Sequence, residues 1–501
     1  MDRPLLNRTH WGDVLEVLRT WPDAFVHCAV TSPPYFGLRD YDVPPSVFGG
    51  RVGCAHQFVT VLKPKGNGSF TTEDNQGPGG LEDSESNAHS ATRRPQISEL
   101  CGRCGAWCGQ LGCEPTPEMY VDHMVEVLHE VRRVLRPDGT LWLNIGDCFA
   151  SNSSEPRVQA GSDMANRATG QEAICGSTRY RSGDIKSKDL IGVPWALALA
   201  LRAPWRRCVA CKEVTHGARW GSVRASDGAR HVCPGCLSYA GNEVAEPGWY
   251  LRSDIVWAKR NQMPESVSDR PTKSHEFVFL LAKSETYFYD NHAIKEPLAL
   301  ESLARYERAA RHKDGFGGPK MEALKERNPQ APTGHRAPPD GKNKRDVWFI
   351  STKPYKGSHY AVFPPDLVEI PVQAGTSERG ACAECGAPWT RAVVEKRDTG
   401  MVGSQNKERV YGDGRGRPDS HIAGNVPWDP KSTEHRWERP CAHPDAATVP
   451  CIVLDPFIGS GTSGLVAHRL GRDFLGIDLN EDHVKMADER VRPEVQQGRL
   501  L

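Results

Sequence analysis

The sequence predicts an α/β fold of the nucleotide-binding type, and three observations near its carboxyl end carry this prediction. An apolar strand at residues 451–454 runs into the glycine-containing loop 455–462. A helix at 463–470 and a second strand at 474–477 follow, and the acidic Asp478 comes directly after that strand. The order strand, glycine loop, helix, strand and acid is typical of folds that bind nucleotides beside a parallel sheet.

Further elements of this fold are predicted along the chain. Apolar residues at helical spacing predict helices, and short apolar runs bounded by turn residues predict strands. We predict helices at 13–20, 120–135 and 481–491, a turn at 136–139, and strands at 24–30, 140–145, 255–257, 276–281 and 347–350.

Composition excludes several classes of protein. The 501 residues suggest two to three domains. Lys+Arg and Asp+Glu are both 63, which excludes a histone-like polycation but leaves room for a local basic groove. The longest apolar run, 193–201, is far shorter than the roughly 20 residues of a membrane span. The first thirty residues show no secretory signal pattern. We therefore expect a cytoplasmic protein without membrane association.

A candidate catalytic motif, Ser32, Pro33, Pro34 and Tyr35, follows the strand at 24–30. The two prolines fix the backbone and remove two N–H donors. Outward carbonyl oxygens, a serine hydroxyl and an aromatic ring remain, and this group suits a planar base that carries an amino group. An ordinary Pro-Pro turn is the alternative.

The loop 455–462 is a candidate cofactor site. Gly459 and Gly461 have no side chains, so the backbone can approach a ligand closely. Asp478, at the end of the next strand, is placed to accept hydrogen bonds from ribose hydroxyls. The loop is too short for a dinucleotide fingerprint and lacks the lysine of a phosphate-binding loop. It therefore favours a nucleoside without phosphates, which points to S-adenosylmethionine.

These motifs resemble those of the β-class DNA amino-methyltransferases, in which (S/D/N)-P-P-Y precedes D-P-F-x-G-S-G-T. The resemblance covers nearly the whole chain apart from three inserts. It implies a Rossmann-like class I methyltransferase fold, circularly permuted. It also implies that the cofactor is bound by residues of the glycine loop, by Asp478 at the end of a strand, and by Asp13, which resembles the family's acidic residue near the cofactor adenine. These residues are Asp13, Asp455, Phe457, Gly459, Gly461, Thr462 and Asp478.

The resemblance also implies a mechanism. The target base is flipped out of double-stranded DNA and stacks on Tyr35. Ser32 and the carbonyl of Pro33 accept hydrogen bonds from its amino group, and the methyl group is transferred directly. No cysteine nucleophile is needed. Serine at the first motif position favours cytosine N4 as the target, and adenine N6 is the alternative.

Cysteine spacing predicts three structural zinc sites, because C-x-x-C pairs in an intracellular protein indicate metal ligands before disulfides. Cys208, Cys211, Cys233 and Cys236 have the spacing of a zinc ribbon, with 21 residues between the pairs. Two further sets combine a C-x-x-C pair with a C-x-H pair. They are Cys54, His56, Cys101 and Cys104, and Cys382, Cys385, Cys441 and His443.

The segment 301–345 is the candidate for DNA target recognition. It contains eleven Lys/Arg against six Asp/Glu, in a chain whose net charge is zero. A local cationic excess suits phosphate contacts, although a solvated loop would have the same composition.

These predictions divide the chain into one interrupted catalytic domain. Its parts are 1–41 with the catalytic motif, 110–204, 248–300, 346–379 and the cofactor-binding 448–501. The zinc-bearing inserts are 42–109, 205–247 and 380–447.

The function predicted is S-adenosylmethionine-dependent methylation of DNA, in a bacterial or phage-infected cell, without an obligatory protein partner. An RNA or protein-glutamine methyltransferase and a catalytically inactive zinc protein that binds DNA are the alternatives from other classes. No nuclease motif is apparent in the sequence, so a solitary methyltransferase is the simpler expectation.

Overall fold

The computed structural model describes two compact units of the chain. It describes residues 4–37, 43–50, 53–60, 99–150, 185–186, 188–208, 214–216, 224–225, 228–231, 243–304, 341–353, 362–397, 407–411 and 432–497. Unit 1 comprises Met1–Pro33, Glu130–Asn144 and Trp249–Leu501, and unit 2 comprises Pro34–His129 and Ile145–Gly248.

The described residues form six main helices, none of which is long and apolar enough to cross a membrane. They are α1 (Val14–Thr20), α2 (Pro117–Val134), α3 (Val193–Arg202), α4 (Pro365–Gly375), α5 (Thr462–Arg469) and α6 (Glu481–Gln497). The predictions of α1, α2, α5 and α6 are confirmed. Helices α3 and α4 were not predicted, because each carries a proline that reads as a turn signal when the sequence is considered alone.

Strands account for most of the remaining regular structure. They are β1 (Arg8–Trp11), β2 (Val26–Thr31), β3 (Ser46–Phe48), β4 (Phe58–Thr60), β5 (Glu99–Cys101), β6 (Trp107–Gly109), β7 (Leu135–Ile145), β8 (Trp205–Cys208), β9 (Val214–His216), β10 (Arg224–Ala225), β11 (Gly228–His231), β12 (Glu243–Glu246), β13 (Tyr250–Ala258), β14 (His275–Ala282), β15 (Val347–Phe349), β16 (Ala381–Cys382), β17 (Thr390–Arg397), β18 (Lys407–Tyr411), β19 (Ser432–Glu438), β20 (Thr448–Val449), β21 (Ile452–Asp455) and β22 (Asp473–Asp478).

Unit 1 is built on an eight-stranded sheet of order β1-β22-β21-β2-β7-β14-β13-β15. Neighbouring strands from β1 through β7 in this order are parallel, whereas β13 and β14 are antiparallel. Strands β2 and β21 are buried throughout, as expected for parallel strands covered on both faces. Helix α4 packs against α5 and β2, and α5 packs against α6. The α/β fold predicted from the sequence is therefore confirmed.

The boundary between α2 and β7 differs from the prediction of a turn at 136–139. The strand begins at Leu135, which pairs with Val26, and the next paired residue, Thr140, lies opposite Cys28. The intervening residues bulge out of the ladder, where Pro137 has no N–H to contribute.

Smaller sheets contain the inserted segments. In unit 2 they have the orders β3-β6-β5-β4, β12-β8-β9 and β10-β11, and in unit 1 β18-β17-β19 and β16-β20. In unit 1 the turn after Cys382 is joined to the main sheet. His27 Nε2 of β2 bonds the carbonyl of Gly386 at 2.9 Å, and Arg136 donates to the carbonyl of Cys385 at 2.7 Å.

Candidate active site

The parallel strands of unit 1 gather the predicted site residues at one edge of the sheet. Asp478 is the last residue of β22, Asp455 is the last of β21, and Ser32 directly follows β2. Carboxyl ends of parallel strands share one edge, and open α/β sheets bind ligands there. The fold thus brings the start of the catalytic motif to the cofactor loop, although the two lie near opposite ends of the chain.

A buried hydrogen bond joins these two motifs directly. Thr31, the residue before Ser32, donates from Oγ1 to Asp455 Oδ1 at 2.6 Å, and each residue is 1% exposed. Asp455 also accepts from the hydroxyl of Ser463 and, at 3.1 Å, from the backbone N–H of Phe457. The Asp455 carboxylate therefore shapes the loop from inside the protein, and a direct contact with the cofactor stays a prediction.

The environment of Asp455 changes its acidity. Burial raises the pKa of its carboxyl from the ordinary 3.8 to about 6, although the hydrogen bonds from Ser463, Thr31 and Phe457 act in the opposite direction. Above pH 6 the ionised carboxylate can accept all three hydrogen bonds.

Both glycines of the cofactor loop adopt backbone conformations that side chains disfavour. Gly459 has φ of +50° and Gly461 of +79°. A Cβ on Gly461 would lie 2.9 Å from Cα of Ala487, so the loop packs directly on α6. This close contact explains why the turn into α5 requires glycine.

Arg490 of α6 is a residue of this site that sequence reasoning missed. Its Nη1 donates to Thr462 Oγ1 at 2.8 Å and to the carbonyl and hydroxyl oxygens of Ser460, both at 3.1 Å. In the sequence Arg490 is an ordinary charged residue of an amphipathic helix, and no motif marks it. The hydroxyl of Thr462, a residue predicted to bind the cofactor, is thus bonded to Arg490. Phe457, which is predicted to have the same role, is half-buried in the same loop.

Asp478 fixes the same loop from the neighbouring strand. Its Oδ2 accepts from the N–H of Gly459 at 3.0 Å, and its Oδ1 accepts from the N–H of Asn480 at 2.8 Å and lies 3.3 Å from His483 Nδ1. A carboxylate has about four acceptor positions, so capacity for a ribose hydroxyl remains. That role stays a prediction.

The structure gives Asp13 a role that the sequence analysis did not assign to it. Its Oδ1 accepts from the N–H groups of Leu15 and Glu16, at 2.9 and 3.1 Å, and so caps α1. Because Trp11 pairs with Asp478 in the parallel ladder, Asp13 nevertheless lies at the cofactor edge. Its predicted position near the adenine remains to be tested.

The second half of the catalytic motif belongs to unit 2, where α2 holds its backbone. The hydroxyl of the buried Tyr120 donates to the carbonyl of Pro34 at 2.8 Å. The Tyr120 ring lies 5.8 Å from that of Phe36. Tyr35 itself is half-buried. The backbone on both sides of Tyr35 is therefore anchored.

A buried polar group lies beside Ser32 in unit 1. Because Thr31 pairs with Leu143, Asn144 is level with Ser32 on the adjacent strand. Asn144 Nδ2 donates to Glu276 Oε2 and to the carbonyl of Phe277, each at 3.1 Å, and Lys259 forms an ion pair with Glu276. Sequence reasoning did not single out Lys259, and it gave Asn144 no role at the site, because strand register is not visible in a single sequence.

Two of the three predicted metal sets are assembled in the structure. In each set the candidate ligand atoms all lie within 4.8 Å of one another. They are Cys54, His56, Cys101 and Cys104 in unit 2, and Cys382, Cys385, Cys441 and His443 in unit 1. For the third set, Cys211, Cys233 and Cys236 and the side chain of Cys208 lie outside the described residues.

The candidate DNA-recognition segment is described only in part, because 305–340 lie outside the described residues. Three of its cations surround one carboxylate. Arg345 lies 2.9 Å, Lys344 3.6 Å and Lys342 3.7 Å from Glu296. The described end of the segment therefore carries less unpaired positive charge than its composition suggested.

The sequence of the chain is similar to those of known proteins over most of its length. The sequence profile of a family described as DNA methylase matches residues 26–385 and 450–489. The type II methyltransferase M.SmaI of Serratia marcescens is 28% identical over 483 residues, which are 96% of this chain and 89% of that protein. M.Cfr9I of Citrobacter freundii is also 28% identical, over 96% of this chain and 87% of its own.

Among solved structures, the cytosine-N4-specific PvuII DNA methyltransferase aligns over 98% of this chain and 91% of its own, at 12% identity and a TM-score of 0.37. A score this low does not by itself define the fold.

Proposed function

The chain belongs to the DNA methylase family, that of S-adenosylmethionine-dependent DNA amino-methyltransferases specific for cytosine N4 or adenine N6, and from this premise we propose that it methylates N4 of cytosine at a specific site in double-stranded DNA. The observation that carries the proposal is the hydrogen bond from Thr31 to Asp455. It joins the residue before Ser32 to the first residue of the loop proposed to hold the methyl donor, which supports Ser32 as the proposed acceptor of hydrogen bonds from the amino group.

The residues of the loop fit a cofactor without phosphates. The N–H of Gly459, which a phosphate would otherwise use, is bonded to the Asp478 carboxylate. An anion beside that carboxylate would be repelled, whereas the ribose hydroxyls of S-adenosylmethionine could donate to it. We therefore assign cofactor binding to the loop Asp455, Phe457, Gly459, Gly461 and Thr462, together with Asp478 and Asp13.

The proposed mechanism is direct transfer to an amino group held by the catalytic motif. The cofactor supplies an electrophilic methyl group on a sulfonium ion. Ser32 Oγ and the carbonyl of Pro33 accept hydrogen bonds from the amino group and orient its nitrogen toward that methyl group, while Tyr35 stacks on the base. Bound S-adenosylmethionine would supply the methyl group and leave as the thioether S-adenosylhomocysteine, and the proton lost by the amino nitrogen would pass to water. Alignment of the two reactants supplies much of the rate.

Ser32 is the basis for choosing cytosine. The cytosine amine is weakly basic, and a neutral hydroxyl is sufficient to orient it, whereas adenine-N6 enzymes of the family more often carry Asp or Asn at this position. Adenine N6 is the alternative. Methylation of RNA or of protein glutamine, and a catalytically inactive zinc protein, are less well supported, because the chain is a member of a DNA methylase family.

The test is nucleoside mass spectrometry of DNA from a host without its own DNA methylation that expresses the protein. N4-methylcytosine is the expected product. N6-methyladenine would keep the enzyme class and refute the reading of Ser32. The Ser32→Ala variant, which removes one of the two acceptors, should abolish the product and leave cofactor binding nearly intact. A variant with full turnover would show that the assigned role is wrong.

We also propose the circularly permuted arrangement of the catalytic domain. Strand β2 with the catalytic motif precedes β21 with the cofactor loop by most of the chain, yet the two are neighbours in the sheet. The inserts 42–109, 205–247 and 380–447 interrupt this domain, and 301–345 remains the proposed region that reads the DNA target.

Structural zinc is the second cofactor we propose, in up to three sites. A site with four protein ligands is closed, so its metal stabilises the fold and takes no part in the chemistry. An insert with a small core gains most from such a link. Metal analysis should find about three zinc ions per chain, and a single ion would be consistent with only the ribbon at Cys208, Cys211, Cys233 and Cys236.

A further inference from the structure

The four candidate ligands in unit 2 have the geometry of a closed zinc site. Cys104 Sγ lies 3.3 Å from His56 Nδ1, and the ligand atoms of Cys54 and Cys101 lie within 4.8 Å of both. Tetrahedral zinc, with Zn–S of about 2.3 Å and Zn–N of about 2.0–2.1 Å, holds such atoms roughly 3.5 Å apart. Pairing of Phe58 with Cys101 between β4 and β5 brings the two halves of the set together.

A second, independent observation supports a metal here. After Cys104 the chain turns at Gly105, whose φ is +73°, and the N–H of Gly105 donates to the carbonyl of Cys101 at 2.8 Å. The turn after Cys382 and Cys385 is the same. Gly386 has φ of +71°, and its N–H donates to the carbonyl of Cys382 at 2.8 Å. The same type of backbone turn therefore occurs in two different sheets, and in each sheet it places two cysteine thiols close to a C-x-H pair.

The sheet that carries the unit 2 site packs on helix α2 through aromatic contacts. His123 of α2 contacts both Phe48 and Trp107, with ring centroids 4.9 and 5.3 Å away and interplanar angles of 22° and 18°, and the Phe48 and Trp107 rings lie 6.0 Å from each other. His123 Nδ1 lies 3.1 Å from Glu114 Oε1, and both residues are at least 95% buried. Trp107 is three residues from the candidate ligand Cys104, and the N–H of Cys101 donates to the carbonyl of Ala106 at 2.8 Å, so the metal set and this contact belong to one hydrogen-bonded hairpin.

The same elements hold the backbone around Tyr35. Glu114 Oε2 accepts from the N–H of Gly112 at 2.8 Å, and the carbonyl of Gly112 accepts from the N–H of Gly37 at 2.7 Å. A Cβ on Gly112 would lie 3.0 Å from the carbonyl oxygen of Tyr35. From the other side, Tyr120 of α2 donates to Pro34. A continuous series of contacts therefore runs from the cysteine turn to the catalytic segment.

We propose that zinc bound by Cys54, His56, Cys101 and Cys104 fixes the platform that positions Tyr35 for the target base. This inference rests on the proposed function of Tyr35. The proposal predicts that loss of this zinc affects one activity and not another. All of these contacts lie within unit 2, whereas the proposed cofactor loop lies in unit 1, so loss of this zinc should impair methyl transfer and leave cofactor binding unchanged. Tyr120 is then a positioning residue, which acts on the base through the backbone of Pro34.

The experiment uses the full-length protein and measures zinc per chain, affinity for S-adenosylmethionine and the rate of DNA methylation. Cys101→Ser should lose one zinc and at least tenfold in turnover, with the cofactor dissociation constant within twofold of wild type. His56→Cys keeps four possible ligands and should retain the zinc. Cys108→Ser changes a cysteine outside the set on the neighbouring strand β6, and should lose neither zinc nor turnover.

Several outcomes would overturn the inference. Cys101→Ser with a full zinc complement would refute the metal site, and zinc loss with normal turnover would refute the positioning role. If Cys101→Ser does not fold, Tyr120→Phe tests the platform without touching the metal. It should keep all zinc and reduce turnover several-fold at unchanged cofactor affinity, and unchanged turnover would refute positioning. A wild-type protein that forms no methylated base would instead refute the proposed function, and the zinc counts would still decide the metal site.

Discussion

Replacing Thr31 by valine tests whether the catalytic motif and the cofactor loop are coupled through Asp455. Valine keeps the shape of the side chain and removes the hydroxyl that donates to Asp455 at 2.6 Å. A hydrogen bond to a charged acceptor contributes about 1.5–3 kcal/mol, and Asp455 keeps its donors Ser463 and Phe457. We expect the free energy of unfolding to fall by about 2 kcal/mol. If the whole effect reaches the transition state, turnover falls roughly 30-fold.

The assays are denaturant unfolding and single-turnover methylation at saturating cofactor. Thr9→Val is the matched control. Thr9 is also a buried threonine of the main sheet, but its hydroxyl has no hydrogen-bond partner among the described residues. It should be neutral to within about 0.5 kcal/mol, or slightly stabilising. Equal effects of Thr31→Val and Thr9→Val on stability and turnover would refute the coupling.

Two further predictions follow from the cofactor loop. Because the pKa of Asp455 is about 6 when folded and 3.8 ordinarily, the folded protein holds this proton more tightly. The contribution of Asp455 to the free energy of unfolding should therefore decline by up to ~3 kcal/mol as pH rises from about 4 to about 6, and stay constant above. Unfolding titrations should show this slope in the wild type and its loss in Asp455→Asn. Gly461→Ala should abolish cofactor binding, since its Cβ would clash with Ala487. The control is Gly471→Ala, at a glycine with φ of +76° and nothing within 4 Å of the added Cβ, which should lower the free energy of unfolding by only about 1 kcal/mol and leave binding intact. Calorimetry can check both variants.

Local sequence patterns predicted most of the α/β fold. Helix α1, strand β2 and the series β21, α5, β22 and α6 were all expected within a few residues of their observed bounds. These segments have strong apolar periodicity and clear turn residues at their ends. Where a proline contributes to the interior or first turn of a helix, as in α3 and α4, the local signal misleads, and packing decides the structure.

The candidate site divides in the same way. The residue types at 32–35 and 455–462 predicted a catalytic motif and a cofactor loop from the sequence, and both roles stay predictions. The sequence did not reveal that Asp13 caps a helix, that Arg490 donates hydrogen bonds to the glycine loop, or that Glu296 lies within ion-pair distance of three cations. The cap is a local contact, whose donors lie two and three residues after Asp13, whereas Arg490 and Glu296 have partners that are distant in the chain.

The sequence by itself predicted the chemistry proposed for this protein: a motif to accept an amino group, a loop suited to a nucleoside, and paired cysteines at metal-ligand spacing. Only the tertiary structure decided which of these meet. Parallel pairing of β2 with β21 brings Thr31 to Asp455, and pairing of β4 with β5 brings the halves of one cysteine set together. Strand register and burial arise from contacts between distant segments, and such contacts produce no recognisable pattern in the local sequence.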